Sequence, residues 1–183
     1  VAEKLKEKPM PAKKIKEHFD GEEIVFGSDK FILRIIYKSK KTSSARIRGN
    51  TIEMAISEEL PKEKQSKAIS TLLSRCLARK RGEELRKRVR ELNEAHFKKT
   101  INRIFIKNLR SCWGSCSGGN NINLSTRLFF APQDIADYVC VHELAHLEHK
   151  NHSKEFWVAV EKAMPDYRDK KQWLKENSDQ VVL

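Results

Sequence analysis

The sequence predicts an α+β fold, in which a small antiparallel β portion and a helical pair precede a C-terminal half built around one buried helix. Three observations lead to this prediction. Short runs rich in β-branched and aromatic residues occupy the first third of the chain, as expected for strands. Two long charged segments then carry apolar residues at helical spacing. Further on, Pro132 and Asp134 mark the start of a helix that is otherwise mostly apolar.

The predicted elements follow one another along the chain. Strands are predicted at 24–26, 31–37, 45–48, 51–56, 104–106 and 122–124. Turns are predicted at Gly49-Asn50 and at 117–120, where small and polar residues cluster. Helices are predicted at 62–80, at 82–98, from Pro132 to about Asn151, from Ser153 to about Pro165, and at 167–175.

We predict three parts for the chain. Residues 1–20 form a charged tail or a peripheral helix, residues 21–100 hold the β portion and the basic helical pair, and residues 101–183 form the C-terminal region. A single continuous domain over 21–183 is the alternative, because a chain of 183 residues fits one domain with or without a small appendage.

The positive charge of the chain is concentrated in its first half. The formal net charge is +12. Residues 1–100 hold 26 Lys and Arg against 15 Asp and Glu, whereas residues 101–183 hold 11 against 10. Much of the excess lies in the Arg75–Lys99 segment, which predicts either a solvated helical face or a contact with the phosphates of a nucleic acid. The run has no aromatic residue among its cations before His96 and Phe97, which favours the solvated face.

Cysteine usage and hydropathy point to an intracellular protein. Cys76, Cys112, Cys116 and Cys140 do not form a dense secreted framework, and we predict reduced structural thiols rather than a second metal site. No apolar run is long enough to cross a bilayer, and no signal peptide is recognisable. We therefore expect a cytoplasmic protein without a membrane partner, and the sequence predicts no particular oligomeric state.

The run His142-Glu143-Leu144-Ala145-His146 is the most specific signal in the sequence. Histidines four residues apart lie on the same face of a helix, so their imidazoles can bind one metal ion. The glutamate after the first histidine lies beside that ion, where it can take a proton from bound water. This is the HExxH pattern of a zinc hydrolase, with Glu143 as the catalytic base.

A catalytic zinc usually takes a third protein ligand, and two histidines could supply it. His149 continues the same helical stripe, which would string three ligands along one axis and suit a tetrahedral ion poorly. His152 follows Asn151, where a left-handed residue could end the helix and turn the chain back. His142, His146 and His152 also share the ligand spacing of the metzincin pattern, although His149 replaces its glycine. We therefore predict His152 as the third ligand, with His149 beside the site or without a role.

A longer string of residues resembles a known family. Its parts are Trp113-Gly114-Ser115-Cys116-Ser117, Asn121–Leu124, Arg127-Leu128, Ala131-Pro132, Tyr138-Val139 and the run from His142 to Trp157. This string resembles the YgjP-like metallopeptidase family, which belongs with the zincins and is related to the SprT-like and WLM-type metalloproteases. The resemblance is strongest from Arg103 to Trp173. One position departs from the family, because Cys112 stands where an arginine is usual, and the role of that arginine is not assigned here.

The resemblance implies a zincin-like catalytic half and a zinc-dependent hydrolase, but it does not imply a particular substrate. From the ligand spacing we expect one zinc ion per chain, and we expect a peptide or protein as substrate. It maps the metal ligands to His142, His146 and His152 and the base to Glu143. We further predict supporting or substrate-contacting roles for residues close to these in the motif string, namely His149, Tyr138, Arg127, Asn123 and Ser115. For a peptidase, the strand at 121–124 is expected to pair with an extended substrate.

Two other functions are open at this point. A zinc-dependent endoribonuclease of the YbeY type also uses three histidines and would suit the basic first half, but that family lacks the glutamate after its first histidine. The other function is a nucleic-acid-bound scaffold with a degenerate metal site. Such a scaffold would not require an intact Glu143 beside three histidines, so these residues argue against it.

Overall fold

A computed structural model of the chain describes residues 16–26, 29–109 and 111–177, which form a mixed α+β fold. Its elements are β1 (Glu23–Phe26), β2 (Asp29–Lys38), β3 (Ser44–Arg48), β4 (Thr51–Ser57), α1 (Lys62–Leu92), β5 (Arg103–Lys107), β6 (Gly114–Cys116), β7 (Asn121–Ser125), α2 (Gln133–Ala145), α3 (Lys154–Ala163) and α4 (Tyr167–Asn177). A π-helical turn (Asn93–Phe97) follows α1, and a 3-10 turn (Thr126–Phe130) precedes α2. The α+β class is confirmed, and every predicted strand is present.

The N-terminal strands form one mixed sheet of four strands in the order β1-β2-β4-β3. β2 is antiparallel to β1 but parallel to β4. β3 and β4 form a hairpin through the predicted turn at Gly49-Asn50, where Gly49 takes the left-handed φ of 54°. The expectation of a purely antiparallel β portion is therefore wrong. β4 pairs with β2 along the edge that the β3-β4 hairpin leaves open. The alternation of apolar and polar residues in a strand does not predict which strand will pair with it.

A single helix, α1, replaces the predicted helical pair. It runs for 31 residues from Lys62 to Leu92. Gly82, where the pair was expected to divide, lies inside α1, and a glycine in a helix interior costs only about 1 kcal/mol relative to alanine. Leu77 and Leu85 are buried on either side of it, so packing outweighs that cost. Within the described ranges, neither α1 nor a shorter helix is both long and apolar enough to cross a membrane.

The helix α1 connects two hydrophobic cores. Its first half packs beneath the N-terminal sheet through Ile69, Leu73 and Leu77. Its second half packs into the core that surrounds α2, through Leu85, Val89 and Leu92. Phe129 and Phe130, which precede α2, are packed against both cores. The C-terminal half is therefore built partly on the helix that also supports the N-terminal sheet.

An ion pair fixes α1 to α2. Arg88 on α1 donates two hydrogen bonds to the carboxylate of Asp137 on α2, at 3.0 and 2.7 Å. The side chain of Gln133 donates a third to the same carboxylate at 2.9 Å. Asp137 is only 7% exposed, so its charge needs these partners. The pair holds α1 against the helix that carries the histidine motif.

Arg88→Ala is expected to lower the free energy of unfolding by about 1 to 3 kcal/mol, because the buried Asp137 carboxylate loses its cation. Arg90→Ala provides the control on the same helix. It breaks only an exposed pair with Glu83 and should cost less than about 1 kcal/mol. Chemical denaturation of both variants measures the difference. Equal losses in the free energy of unfolding would show that the contact between Arg88 and Asp137 stabilises the fold no more than an exposed ion pair does.

The smaller sheet lies in the second half of the chain and has the order β5-β7-β6. β7 is its central strand, parallel to β5 and antiparallel to β6. Because both edges of β7 are already hydrogen-bonded, it cannot accept a substrate strand, and that expectation for residues 121–124 is wrong. β6 is an edge strand. Its three residues are too few for a period-two pattern to predict it.

The described part of the predicted N-terminal tail is tied to the larger sheet and is not helical. Asp20 Oδ1 accepts a hydrogen bond from the backbone N–H of Ile35 at 2.8 Å. Lys16 Nζ and His18 Nδ1 contact the buried carboxylate of Glu22 at 2.7 and 2.8 Å. The rest of that predicted part, residues 1–15, lies outside the described residues.

Candidate active site

The histidine motif lies on α2, which is buried along most of its length, from Ile135 to Ala145. The helix begins after Pro132, as predicted, but it ends at Ala145 rather than near Asn151. His146 is its C-cap, and the backbone N–H groups of the next turn bond to the carbonyls of Leu144 and Ala145. Asn151 does not take the left-handed conformation expected of it. His149 therefore lies beyond the helical stripe on which the sequence placed it.

The turn after α2 brings His152 back to the two histidines of the motif. One ring nitrogen from each of His142, His146 and His152 lies within 4.8 Å of the others. Nε2 of His152 is 3.0 Å from Nε2 of His142. Two imidazole nitrogens at this distance either share one proton or direct lone pairs toward a common cation. The three side chains predicted as ligands are brought together, and His149 is not part of this group.

His149 contributes to the cluster through its backbone. Its carbonyl oxygen lies 2.9 Å from Nδ1 of His146, which donates the hydrogen bond. That bond fixes the tautomer of His146, so that Nε2 carries a lone pair. Nε2 is buried and has no hydrogen-bond partner among the described residues. A metal-binding histidine commonly donates its second ring N–H to a backbone carbonyl, and a buried lone pair without a donor suits a cation.

Burial keeps the histidines in the form that can bind a metal. It lowers the pKa of His142, and the neighbouring His146 and His152 lower it further. Burial also lowers the pKa of His146, against the opposing hydrogen bond to His149. Both effects disfavour the imidazolium, which has no lone pair to offer. His142 and His146 are therefore neutral near neutral pH, and each keeps a lone pair that a metal ion can use.

Aromatic side chains from α3 hold the cluster in place. The ring of Phe156 lies within 4.9 Å, centroid to centroid, of all three histidine rings. The ring of Trp157 stacks on that of His152, with a centroid distance of 5.7 Å, and on that of Tyr167, with a centroid distance of 5.4 Å. His152 precedes α3 directly, so these contacts fix the direction from which it reaches α2.

Glu143 lies in the same buried region and approaches β6. It is 1% exposed, and its Oε2 has no hydrogen-bond partner among the described residues. Burial raises the pKa of its carboxyl to about 8. A Cβ placed on Gly114 would lie 2.7 Å from Oε1 of Glu143 and 2.8 Å from its Cγ. Only glycine at this position of β6 leaves room for the glutamate.

The strand β6 has an open edge beside Gly114, the residue that contacts Glu143. Trp113 O accepts from the N–H of Ser125, and Ser117 N–H donates to Asn121 O, so these residues point their backbone groups toward β7. Neighbouring residues of a strand alternate in this respect. The backbone groups of Gly114 and Cys116 therefore point away from β7, toward the unpaired edge.

The other predicted site residues have different surroundings. Tyr138 is buried and its ring meets that of His142 edge to face at 6.1 Å. Arg127 is buried with its guanidinium 3.9 Å above the ring of Trp113. Asn123 Nδ2 donates to Ser115 Oγ at 3.1 Å, and the two residues are cross-strand partners on β7 and β6. Side chains alternate along a strand, so this pair lies on the sheet face opposite to Gly114 and Glu143.

Gly114 is the residue of this site that the sequence interpretation passed over. The Trp-Gly-Ser-Cys string predicts only Ser115 as a site candidate. A glycine between strand-like residues signals a close approach of another group, and that signal was available. The four cysteines are free and buried, in agreement with the predicted thiols. Burial raises the pKa of Cys116, on the same face as Gly114, to about 11.

These features define a class of protein. A buried helix with the sequence His-Glu-x-x-His, a third histidine returned to it by a turn, and an edge strand whose Gly114 packs against the glutamate are the arrangement of a metallopeptidase. A sequence model for the YgjP-like metallopeptidase domain matches residues 1–177. The chain belongs to the YgjP-like metallopeptidase family, and it is a hydrolase of the metallopeptidase type.

Comparison with solved structures found similar chains among metallopeptidase zymogens. Abylysin of Pyrococcus abyssi is 22% identical with a TM-score of 0.46, and the alignment covers 54% of this chain and 96% of that chain. Jannalysin of Methanocaldococcus jannaschii is 18% identical with a TM-score of 0.46, over 51% of this chain and 96% of that chain. A comparison with curated proteins found no match.

Proposed function

We propose that this protein is a zinc-dependent peptidase, in which His142, His146 and His152 hold one zinc ion and Glu143 is the catalytic base. One observation carries the proposal. Donor nitrogens of the three histidines converge within 4.8 Å, and Nε2 of His146 is buried without a partner among the described residues. A core histidine without a metal would be expected to use this nitrogen in a hydrogen bond.

The donor set fits zinc better than other common ions. Neutral imidazoles suit a borderline-soft cation, and three protein ligands leave one coordination position for water or substrate. Bound zinc would supply a water molecule that is acidic near neutral pH and would polarise the scissile carbonyl. The family to which the chain belongs supports a metal at this site.

Glu143 moves the proton in this proposal. Its carboxylate takes a proton from the attacking water and returns it to the leaving amine of the substrate. Both transfers need a group whose pKa lies near the working pH, and burial raises the pKa of Glu143 toward that range. Because Oε2 of Glu143 is buried and has no hydrogen-bond partner among the described residues, it is available for the water.

The open edge of β6 positions the substrate. An extended peptide laid along this edge can form backbone hydrogen bonds with Gly114 and Cys116, in the manner of an added strand. Gly114 contacts Glu143, so the edge would carry the scissile bond past the catalytic base. Backbone pairing favours extended or unfolded substrates over folded ones, because only an extended chain can add a strand.

Metal removal and reconstitution test this function. We expect the purified protein to cleave an unstructured protein such as casein, to lose this activity after chelation, and to recover it with stoichiometric zinc. The same preparations should leave a labelled RNA intact. Cleavage of RNA that depends on zinc, without cleavage of any peptide, would contradict the proposal and favour the endoribonuclease.

A further inference from the structure

Ion pairs divide the basic Arg75–Lys99 segment into two parts. In the part after residue 80, most cations contact carboxylates: Arg81 with Asp29 and Glu84, Arg86 and Arg90 with Glu83, Lys87 with Glu91, Arg88 with Asp137, and Lys99 with Glu148. Each of these carboxylates offsets positive charge locally. The predicted phosphate contact covers the whole Arg75–Lys99 segment, but in this part of it the structure leaves little uncompensated charge.

The part before residue 81 has a different environment. Arg75, Arg79 and Lys80 line an open groove of about 500 Å³ between α1 and β3. Arg46 on β3 lines its other wall, and none of the described residues that line the groove is acidic. Arg46 does contact Glu53 at 2.6 Å, but Arg48 lies 3.8 Å from the same carboxylate. Glu53 therefore compensates part of the charge of Arg46, and the positive excess of the groove comes from Arg75, Arg79 and Lys80 on α1.

The walls of the groove also offer apolar surface at an open sheet edge. Ala45, Ile47 and Leu72 line it between the cations and are only partly buried. β3 is an edge strand, because β4 is the only strand that pairs with it in the described part of the chain. Cations thus lie on two walls of the groove, with short apolar side chains between them. This arrangement suits a polymer whose units each carry a negative charge, with apolar rings between the charges.

We propose that this groove, lined by Arg46, Arg75, Arg79 and Lys80, binds the phosphate backbone of a single-stranded nucleic acid. A phosphodiester chain carries one negative charge per nucleotide, which matches the three cations along the α1 wall, with Arg46 on the β3 wall. Arg75 and Arg79 are one helical turn apart on α1, so both face the groove. An acidic peptide would match the charge but would need a run of carboxylates to do so. The proposal is independent of the peptidase reaction, because none of these residues belongs to the histidine site.

The test uses a matched pair of double variants. Arg75→Gln/Arg79→Gln removes two cations from the groove, and Lys87→Gln/Arg90→Gln removes two exposed cations from the paired part of the same helix. Fluorescence anisotropy follows binding of labelled single-stranded DNA, single-stranded RNA and duplex DNA, with salt varied from about 50 to about 200 mM. We expect the groove variant to bind single strands about tenfold more weakly and to reduce the magnitude of the salt slope by about 1.4.

The control variant decides between a site and general charge. It should keep the wild-type affinity and slope, since its cations are already compensated by carboxylates. Equal weakening in both variants would show that net charge alone drives binding and would overturn the groove. Tighter binding of a labelled polyglutamate than of either single strand would replace the nucleic acid with an acidic protein partner. Absence of binding at the lowest salt would overturn the proposal outright.

Discussion

Glu143→Gln is expected to reduce peptide hydrolysis by a factor of about 100 to 10,000 while the protein stays folded and keeps its metal. The amide has nearly the shape of the carboxylate, so the packing against Gly114 is preserved. It cannot take a proton from water, and that transfer is the role proposed for Glu143. Single-turnover rates on a peptide substrate, together with metal analysis of the same sample, measure both halves of the expectation.

Glu148→Gln is the matched control for this variant. Glu148 is an exposed residue of the same stretch, where it contacts Lys99 at 3.4 Å. We expect its loss to leave the rate unchanged. Loss of zinc in Glu143→Gln would instead make Glu143 a metal ligand, and an unchanged rate would remove it from the reaction.

Gly114→Ala is expected to reduce hydrolysis by a factor of about 100 or more, since displacement of a catalytic group by about 1 Å has effects of that size. The added methyl group would overlap Glu143, with 2.7 Å to Oε1 and 2.9 Å to Cδ. Glu143 is buried and has little room to move away, so we also expect a loss of about 1 to 3 kcal/mol in the free energy of unfolding. Zinc content should change little, because the overlap is with the glutamate and not with the histidines.

A double-mutant cycle separates this overlap from a general effect on β6. In the Glu143→Ala background the methyl group has space, so Gly114→Ala should cost much less stability than in the wild type. Gly118→Ala serves as the control, because a Cβ at Gly118 meets nothing within 4 Å. Stability is measured without any substrate, so this result stands whether or not a peptidase assay succeeds. Additive costs in the cycle would contradict the contact between Gly114 and Glu143.

The histidine arrangement was largely predictable because it is mostly local. A spacing of four on a helix brings His142 and His146 to one face, and six further residues suffice to return His152. The route of that return was not predictable in detail. The helix ends at Ala145 because the carbonyls of Leu144 and Ala145 accept bonds from the next turn, and no capping residue in the sequence signals this. The expected signal, Asn151, plays no such part.

The features that the sequence did not predict depend on contacts between distant residues. Gly82 predicts a break in the helix, but packing into the two hydrophobic cores on either side of this residue keeps α1 continuous. The central position of β7 follows from pairing with both β5 and β6, and an alternating pattern specifies faces rather than neighbours. The close approach of Gly114 to Glu143 depends on that sheet order. The division into three parts remains a prediction, as do a cytoplasmic location and the substrate-contacting roles of Tyr138, Arg127, Asn123 and Ser115.

Zinc bound per chain in His152→Ala and His149→Ala, measured by elemental analysis after dialysis, tests the proposed metal site most directly. The wild type should hold about one zinc per chain, and His152→Ala should lose most of it. His149→Ala should keep it, because His149 reaches His146 only through its backbone carbonyl, which the substitution retains. Zinc that survives in His152→Ala but is lost in His149→Ala would contradict the proposed ligand set.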